Sequence, residues 1–185
     1  MRVPAPVLLL IGLGTAAVAE QPLLRPSRDV SIVYRAAGPQ GTVVEQRVRW
    51  LASSQIERID PPDHNLHVII DHIARRMSVV NDAARSVMET ATSDGMREMP
   101  AAQPQGSYAR LGQGSVAGRS CTEWQALDRL GHEARVCVTN DGVLLRAGTP
   151  DAVRVTAVSV DYAPQDAAAF RIPADYARLA PGASR

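Results

Sequence analysis

Hydrophobic and polar residues alternate along much of this chain with the period of a β-strand. Residues 29–35 put Val30, Ile32 and Tyr34 on one side. Residues 42–51 put Val44, Val48 and Trp50 on one side and Glu45, Arg47 and Arg49 on the other, with Gln46 interrupting the apolar side once. This is the pattern of an antiparallel strand with one dry face and one wet face. Shorter runs follow at 55–59, 67–70 and 76–80. Asp60-Pro-Pro-Asp63 ends the first of these, because proline cannot donate to a ladder. Asp71-His-Ile-Ala-Arg75 reads as the hairpin connection between the other two.

The second half repeats the pattern at 107–111, 116–125, 134–139, 143–147 and 153–162. Asn140-Asp141-Gly142 joins two of these runs, and a two-residue Asp-Gly turn is a strong hairpin signal. In the last run the apolar side switches from Val153 and Val155 to Val158, Val160 and Tyr162. A bulge near Ala157, or cover on both faces, is expected there.

One stretch departs from the alternation. Asn81-Asp82 offers a helix cap before residues 83–91, where Val87, Met88 and Ala91 fall at helical spacing, with Met96 and Met99 beyond. A short helix is predicted there, followed by a loop over 100–106. Pro164 closes the sheet and 165–169 suits one helical turn. Phe170-Arg-Ile-Pro173 and Tyr176 are expected to tack the C-terminal segment onto the body. The class expected is α+β, mainly antiparallel β. No internal repeat is read, and residues 20–185 are expected to form a single domain.

Composition sets the compartment. Arg2, the apolar run 7–13 and Ala17-Val-Ala19 form a signal peptide, with cleavage expected after Ala19. Residues 1–19 are therefore leader, and the mature product is expected in the periplasm or outside the cell. No later run is apolar for long enough to span a bilayer as a helix. The net charge is +1, and all 20 basic residues are arginine. The arginines are mixed with acids, and aromatics make up only 4% of the chain, so nucleic-acid binding finds no support. The absence of lysine excludes Schiff-base chemistry and a lysine-bearing phosphate loop.

Two cysteines in an exported chain read as one disulfide, Cys121 to Cys137. If they lie directly opposite each other, Glu123 faces Arg135, Thr122 faces Val136 and Ser120 faces Val138. Parity then places Arg119, Cys121, Glu123, Arg135, Cys137 and Thr139 on a polar face, with Trp124, Val136 and Val138 on the dry one. The bridge is expected as a staple outside the apolar layer. Across the next turn, Val138 should meet Leu145 and Val136 should meet Ala147.

Candidate chemistry is sparse. His64, His67, Asp71 and His72 are the only cluster with metal-ligand residue types, and a strand would point His72 away from His67 and Asp71. Gly112-Gln-Gly114-Ser-Val-Ala-Gly118 has one residue too many for a dinucleotide fingerprint. No nucleophile elbow frames Ser115. No catalytic residue, metal or cofactor is assigned.

The early Val-rich hairpin, the run His67-Val-Ile-Ile-Asp-His-Ile-Ala-Arg-Arg-Met-Ser-Val-Val80, the run Arg135-Val-Cys-Val-Thr-Asn-Asp-Gly-Val-Leu-Leu-Arg146 and Phe170-Arg-Ile-Pro173 occur in an order that resembles the LolA/LolB-like lipoprotein-carrier superfamily. The resemblance implies a strongly curved, unclosed half-barrel with helices capping its concave face. In the known carriers that cavity holds acyl chains. Applied here, residues 87–99 would be the lid. The lining would include Val48, Trp50, Val87, Met88, Met96, Met99, Trp124, Val136, Val138 and Leu145. No lipobox cysteine follows the leader, so the chain does not resemble the membrane-anchored acceptor.

Three functions are compatible with this reading. The first is a periplasmic protein that holds a lipid, an acyl chain or another apolar small molecule. The second is an interaction or sensor domain that binds another envelope protein. The third is a metal-dependent enzyme using His64, His67 and His72.

Overall fold

The structure, a computed structural model, describes residues 20–38, 41–92, 106–128 and 131–180. The strands are β1 (Val30–Ala37), β2 (Val43–Leu51), β3 (Ile56–Asp60), β4 (Leu66–Asp71), β5 (Arg76–Asn81), β6 (Ser86–Ala91), β7 (Gly106–Val116), β8 (Arg119–Asp128), β9 (Glu133–Val138), β10 (Leu144–Thr149), β11 (Ala152–Asp161) and β12 (Ala177–Leu179). All 12 belong to one open sheet ordered β12-β6-β5-β4-β3-β2-β1-β11-β10-β9-β8-β7. Neighbours are antiparallel, except that β12 runs parallel to β6. No α-helix occurs among the described residues; a 3-10 turn at Ala167–Phe170 is the helical element there. The expectation of helices capping a concave face is therefore overturned.

The helix predicted over 83–91 is a hairpin turn followed by β6. The Asn81 side chain caps a turn rather than a helix, its Oδ1 accepting from the Ala84 amide at 2.8 Å. Asp71 does the same one hairpin earlier, accepting from the amides of Ile73 and Ala74. Each turn ends on an arginine with positive φ, 54° at Arg75 and 48° at Arg85. Asp71-His-Ile-Ala-Arg75 and Asn81-Asp-Ala-Ala-Arg85 are thus two copies of one device, a short repeat that sequence reading missed. A left-handed residue cannot continue a helix, and Asx side chains serve turns as readily as caps.

Among the described residues no second layer covers the sheet, and its inner face is buried against itself. One cluster gathers Val30, Ile32 and Tyr34 from β1, Val48 and Trp50 from β2, Ile59 from β3, Ile70 from β4, and Val155 and Ala157 from β11. The same cluster contains Cys121, Cys137, Val143 and Leu145. The Tyr34 hydroxyl donates to the Leu144 carbonyl at 2.6 Å inside it, tying β1 to β10. At the far end β7 touches β11, and Arg119 donates to the Val160 carbonyl at 3.2 Å, so the sheet curls back on itself. The bulge expected near Ala157 is present: the register of β11 against β1 shifts between Val33 and Tyr34, leaving Val158 unpaired.

The cysteines correct the sequence reading in two respects. The bond between them is present, but Glu123, not Cys121, sits opposite Cys137. The bridge is diagonal, two residues from the expected register. Glu123 pairs with Arg146 instead of Arg135, and Arg135 faces Gln125. Both cysteines are buried in the main core, so the bridge fills the core rather than stapling a polar surface. Gly114 lets β7 lie over it; a Cβ there would come within 2.9 Å of Glu123 Oε1 and 3.2 Å of Cys137 Sγ. The β9–β10 turn is also one residue longer than expected. Thr139 and Val143 close it, and Gly142 takes φ +89°. Val138 therefore faces Leu144, while Leu145, unpaired in this register, drops into the inner core; Val136 does meet Ala147.

Both terminal segments strap the outer face. Glu20 reaches Arg110, whose cross-strand partner is Trp124, so the N-terminal residues lie on the Trp124 side. The Arg25 carbonyl sits 2.1 Å from where a Cβ on Gly142 would stand. At the other end the Gln165 amide donates to Asp29, Arg58 donates to the Ala169 carbonyl, and Phe170 is buried. The Tyr176 hydroxyl bonds Asp82 at 2.9 Å. Phe170 and Tyr176 thus tack the C-terminal segment down as expected.

Replacing both cysteines by alanine should lower stability by about 3 kcal/mol, the chain-entropy value for a short loop. Urea unfolding monitored by tryptophan fluorescence checks this. A loss near zero would mean that the bridge does not constrain the core.

Candidate functional site

Cross-strand partners share a face, so the register traces a line of side chains across the inner surface. Val160 pairs with Ile32, Ile32 with Val48, Val48 with Ile59 and Ile59 with Val68. Val68 then pairs with Val79, Val79 with Met88 and Met88 with Leu179. Every strand from β11 to β12 contributes one apolar residue. Ile32, Val48 and Ile59 are buried, and Val68 and Val79 are half-buried. Met88 is 36% exposed and Leu179 45% exposed. The core therefore runs out of the molecule at the β5–β6–β12 margin as a bare apolar strip. On the opposite face of the same strands Glu89 bonds Arg178 at 2.7 Å.

The candidate lining residues do not converge on one cavity. Val48, Trp50 and Leu145 are buried in the main inner cluster. Trp124, Val136 and Val138 form a second cluster with Leu144, on the opposite face of β8–β10. Val87 is buried on the outer side of β6, next to Met88 on the inner side. Met96 and Met99 lie outside the described residues. Sequence reading missed Val79 and Leu179 as members of the strip. Val79 was legible from alternation, whereas Leu179 belongs to a three-residue strand with no periodicity to find.

Two cavities have walls that mix polar and apolar groups. One of about 480 Å³ is lined by Ser27, Arg28, Gln113, Arg119, Asp141 and Tyr162, among others. The other, of about 230 Å³, is lined mostly by apolar residues, the predicted Trp124 and Val136 with Leu111 and Val153 among them, beside Glu123, Arg135 and Arg146. In the first, the Arg28 guanidinium lies 3.7 Å and that of Arg119 5.1 Å from the Tyr162 ring centroid. Burial alone would raise the Asp141 carboxyl, but hydrogen bonds from Thr139, Arg28 and Tyr162 hold it below the ordinary carboxylate range.

The histidines are used locally. His67 Nδ1 is 3.0 Å from Asp82 Oδ2, and its Nε2 is buried without a partner. His72 bonds Glu57 and packs its ring 5.2 Å from Trp50. His64 lies in the exposed β3–β4 turn. Among the described residues no group of three His, Cys, Asp or Glu side chains is placed to hold a metal. No described helix is long and apolar enough to cross a membrane.

No family model matches the chain, and no curated protein matches it. Solved structures do. The crystal structure of an uncharacterized conserved protein from Thermus thermophilus aligns with TM-score 0.59 and 11% identity, covering 83% of this chain and 91% of that one. MucB in complex with MucA(peri) aligns with TM-score 0.50 and 14% identity, over 79% of this chain and 54% of that one. The Pseudomonas aeruginosa MucA/MucB complex gives TM-score 0.52 and 12% identity, over 79% and 56%. The chain thus spans little more than half the length of the MucB chains it matches. At these identities the likeness is one of fold. The resemblance to the lipoprotein carriers accordingly stands at the level of fold and not of family.

Burial, and next the charge of Arg58, push the His67 imidazole below its ordinary value, against the pull of Asp82. A lowered histidine favours the neutral form in the folded state. Its contribution is complete above the unfolded value of about 6.5 and is lost as pH falls through the lower folded value. Stability should therefore drop below about pH 6.5, and His67→Gln should flatten that part of the profile. Equal pH profiles for the two proteins would contradict this.

Proposed function

We propose that this chain is an exported, periplasmic binding domain, not an enzyme, and that its ligand is another envelope protein. The observation that carries this reading is the apolar strip ending at Met88 and Leu179. The inner face elsewhere is filled by the protein's own side chains, Tyr34, Trp50 and Leu145 among them. Each of the two cavities carries charged groups, Arg28, Arg119 and Asp141 in one and Glu123, Arg135 and Arg146 in the other, so neither is an unbroken apolar slot for an acyl chain. What remains of the inner apolar surface lies at the sheet margin, where another protein can cover it. The thioether of Met88 adapts to a partner's shape. The fold shared with MucB, a protein solved in complex with MucA(peri), supports the same reading.

An acyl chain would meet the same strip, and one set of variants separates the two ligands. Met88→Asp and Leu179→Asp, both at exposed positions, should leave the melting temperature within a few degrees of the parent. Each should abolish capture of the partner from envelope extract. Capture that survives both changes would remove the strip from the account. A fluorescent fatty acid that binds the parent and is lost in the variants, without any captured protein, would favour the lipid reading.

A further inference from the structure

β7 is the last strand of the sheet on its side, and among the described residues its backbone pairs only with β8. It is 11 residues long, mostly exposed, and reads Gly-Ser-Tyr-Ala-Arg-Leu-Gly-Gln-Gly-Ser-Val. Natural edge strands are commonly short, carry proline or are covered. This one has no proline, no acidic residue and three glycines that leave the edge unhindered. Among the described residues its defences are a register shift between Arg110 and Gly112, which leaves Leu111 unpaired and 49% exposed, the Glu20–Arg110 ion pair and the approach of β11 at one end.

The 480 Å³ groove opens beside this strand, with Gln113 of β7 in its wall. Within it the charges are unequal. Asp141 is engaged by Arg28 at 2.8 Å, by the Tyr162 hydroxyl at 3.1 Å and by Thr139. Arg119 has no carboxylate partner among the described residues; it donates to the Val160 carbonyl at 3.2 Å. Its guanidinium stands over the Tyr162 ring, which leaves the planar N–H edge open to a carboxylate, the geometry for paired hydrogen bonds. Asn140 adds an amide that can both donate and accept, which suits a peptide backbone better than a phosphate, an acceptor alone.

We propose that the free edge of β7 takes an extended, acidic segment of a partner protein, which adds a strand to the sheet and sets a carboxylate on Arg119. Backbone hydrogen bonds supply affinity in such strand addition, and side-chain pockets supply selectivity. A second copy of this chain is a poorer occupant. Pairing two β7 edges would bring together Arg119 of each neighbouring β8, which has no carboxylate partner among the described residues, whereas Arg110 is already paired with Glu20. The surface lies at the opposite end of the sheet from Met88 and Leu179, so it goes beyond the function proposed above and is tested apart from it.

The experiment uses the mature protein and a short synthetic peptide of alternating Val and Glu, with a Gln-substituted twin. Fluorescence anisotropy should show binding of the Glu peptide that weakens with salt. Arg119→Ala should cost about tenfold or more, as loss of a charge-assisted pair does, with the melting temperature unchanged. Hydrogen exchange should slow at amides of β7 when the peptide is bound. Equal affinity for the Glu and Gln peptides, or binding without protection of β7, would overturn the proposal. So would dimerisation that protects β7 without peptide, or binding of anionic phospholipid vesicles lost in Arg119→Ala while the peptide is ignored.

Discussion

A single sheet without a helical layer, which is what the described residues form, has to bury one of its faces against itself, and that constraint governs this molecule. The disulfide, Tyr34 and Leu145 sit where the two halves of the inner face meet. The Tyr34 hydroxyl satisfies the Leu144 carbonyl inside that junction, where an unpaired polar group would cost about 1–3 kcal/mol. Burial drives the Tyr34 phenol strongly upward, so the hydroxyl keeps its proton and remains a donor. The outer face meets the same demand by a different route. The N-terminal segment lies on the Trp124 side, and the C-terminal segment lies over β3 to β6 through Phe170 and Tyr176.

The functional reading follows from where this self-burial stops. Curling brings β7 back beside the end of β11 and closes the inner face there. At the other end no strand returns, so the line from Ile32 through Val48 and Ile59 continues into solvent at Met88 and Leu179. Between β1 and β10 the inner face is filled by the protein's own Tyr34, Trp50 and Leu145. A bare margin leaves a surface that another protein can cover.

Much of the strand pattern was legible in the sequence, because alternation in β1, β2 and β11 reports burial on one face directly. The bulge near Ala157 was legible for the same reason. Two features were not. Asn81-Asp82 carries the same residue chemistry for a helix cap and for an Asx turn, and only the positive φ of Arg85 decides between them. The pairing of β8 with β9 depends on loop length; a shift of two residues preserves parity while moving every partner, so Glu123 meets Arg146 and not Arg135. Parity identified which residues share the disulfide's face, but whether that face is core or surface depends on the curl of the sheet. The candidate lining failed to converge for the same reason: Trp124 and Trp50 are both inward-looking in sequence, and the two faces of one sheet divide them.

The central claim is that the protein meets its partner at the open end of the apolar strip. Incorporating a photo-crosslinking residue at Met88, with a control at Val43, which is 64% exposed on β2, tests it in the intact periplasm. The account predicts a discrete protein adduct from position 88 and none from position 43. Adducts of equal yield from both positions, or an adduct with lipid alone from position 88, would contradict it.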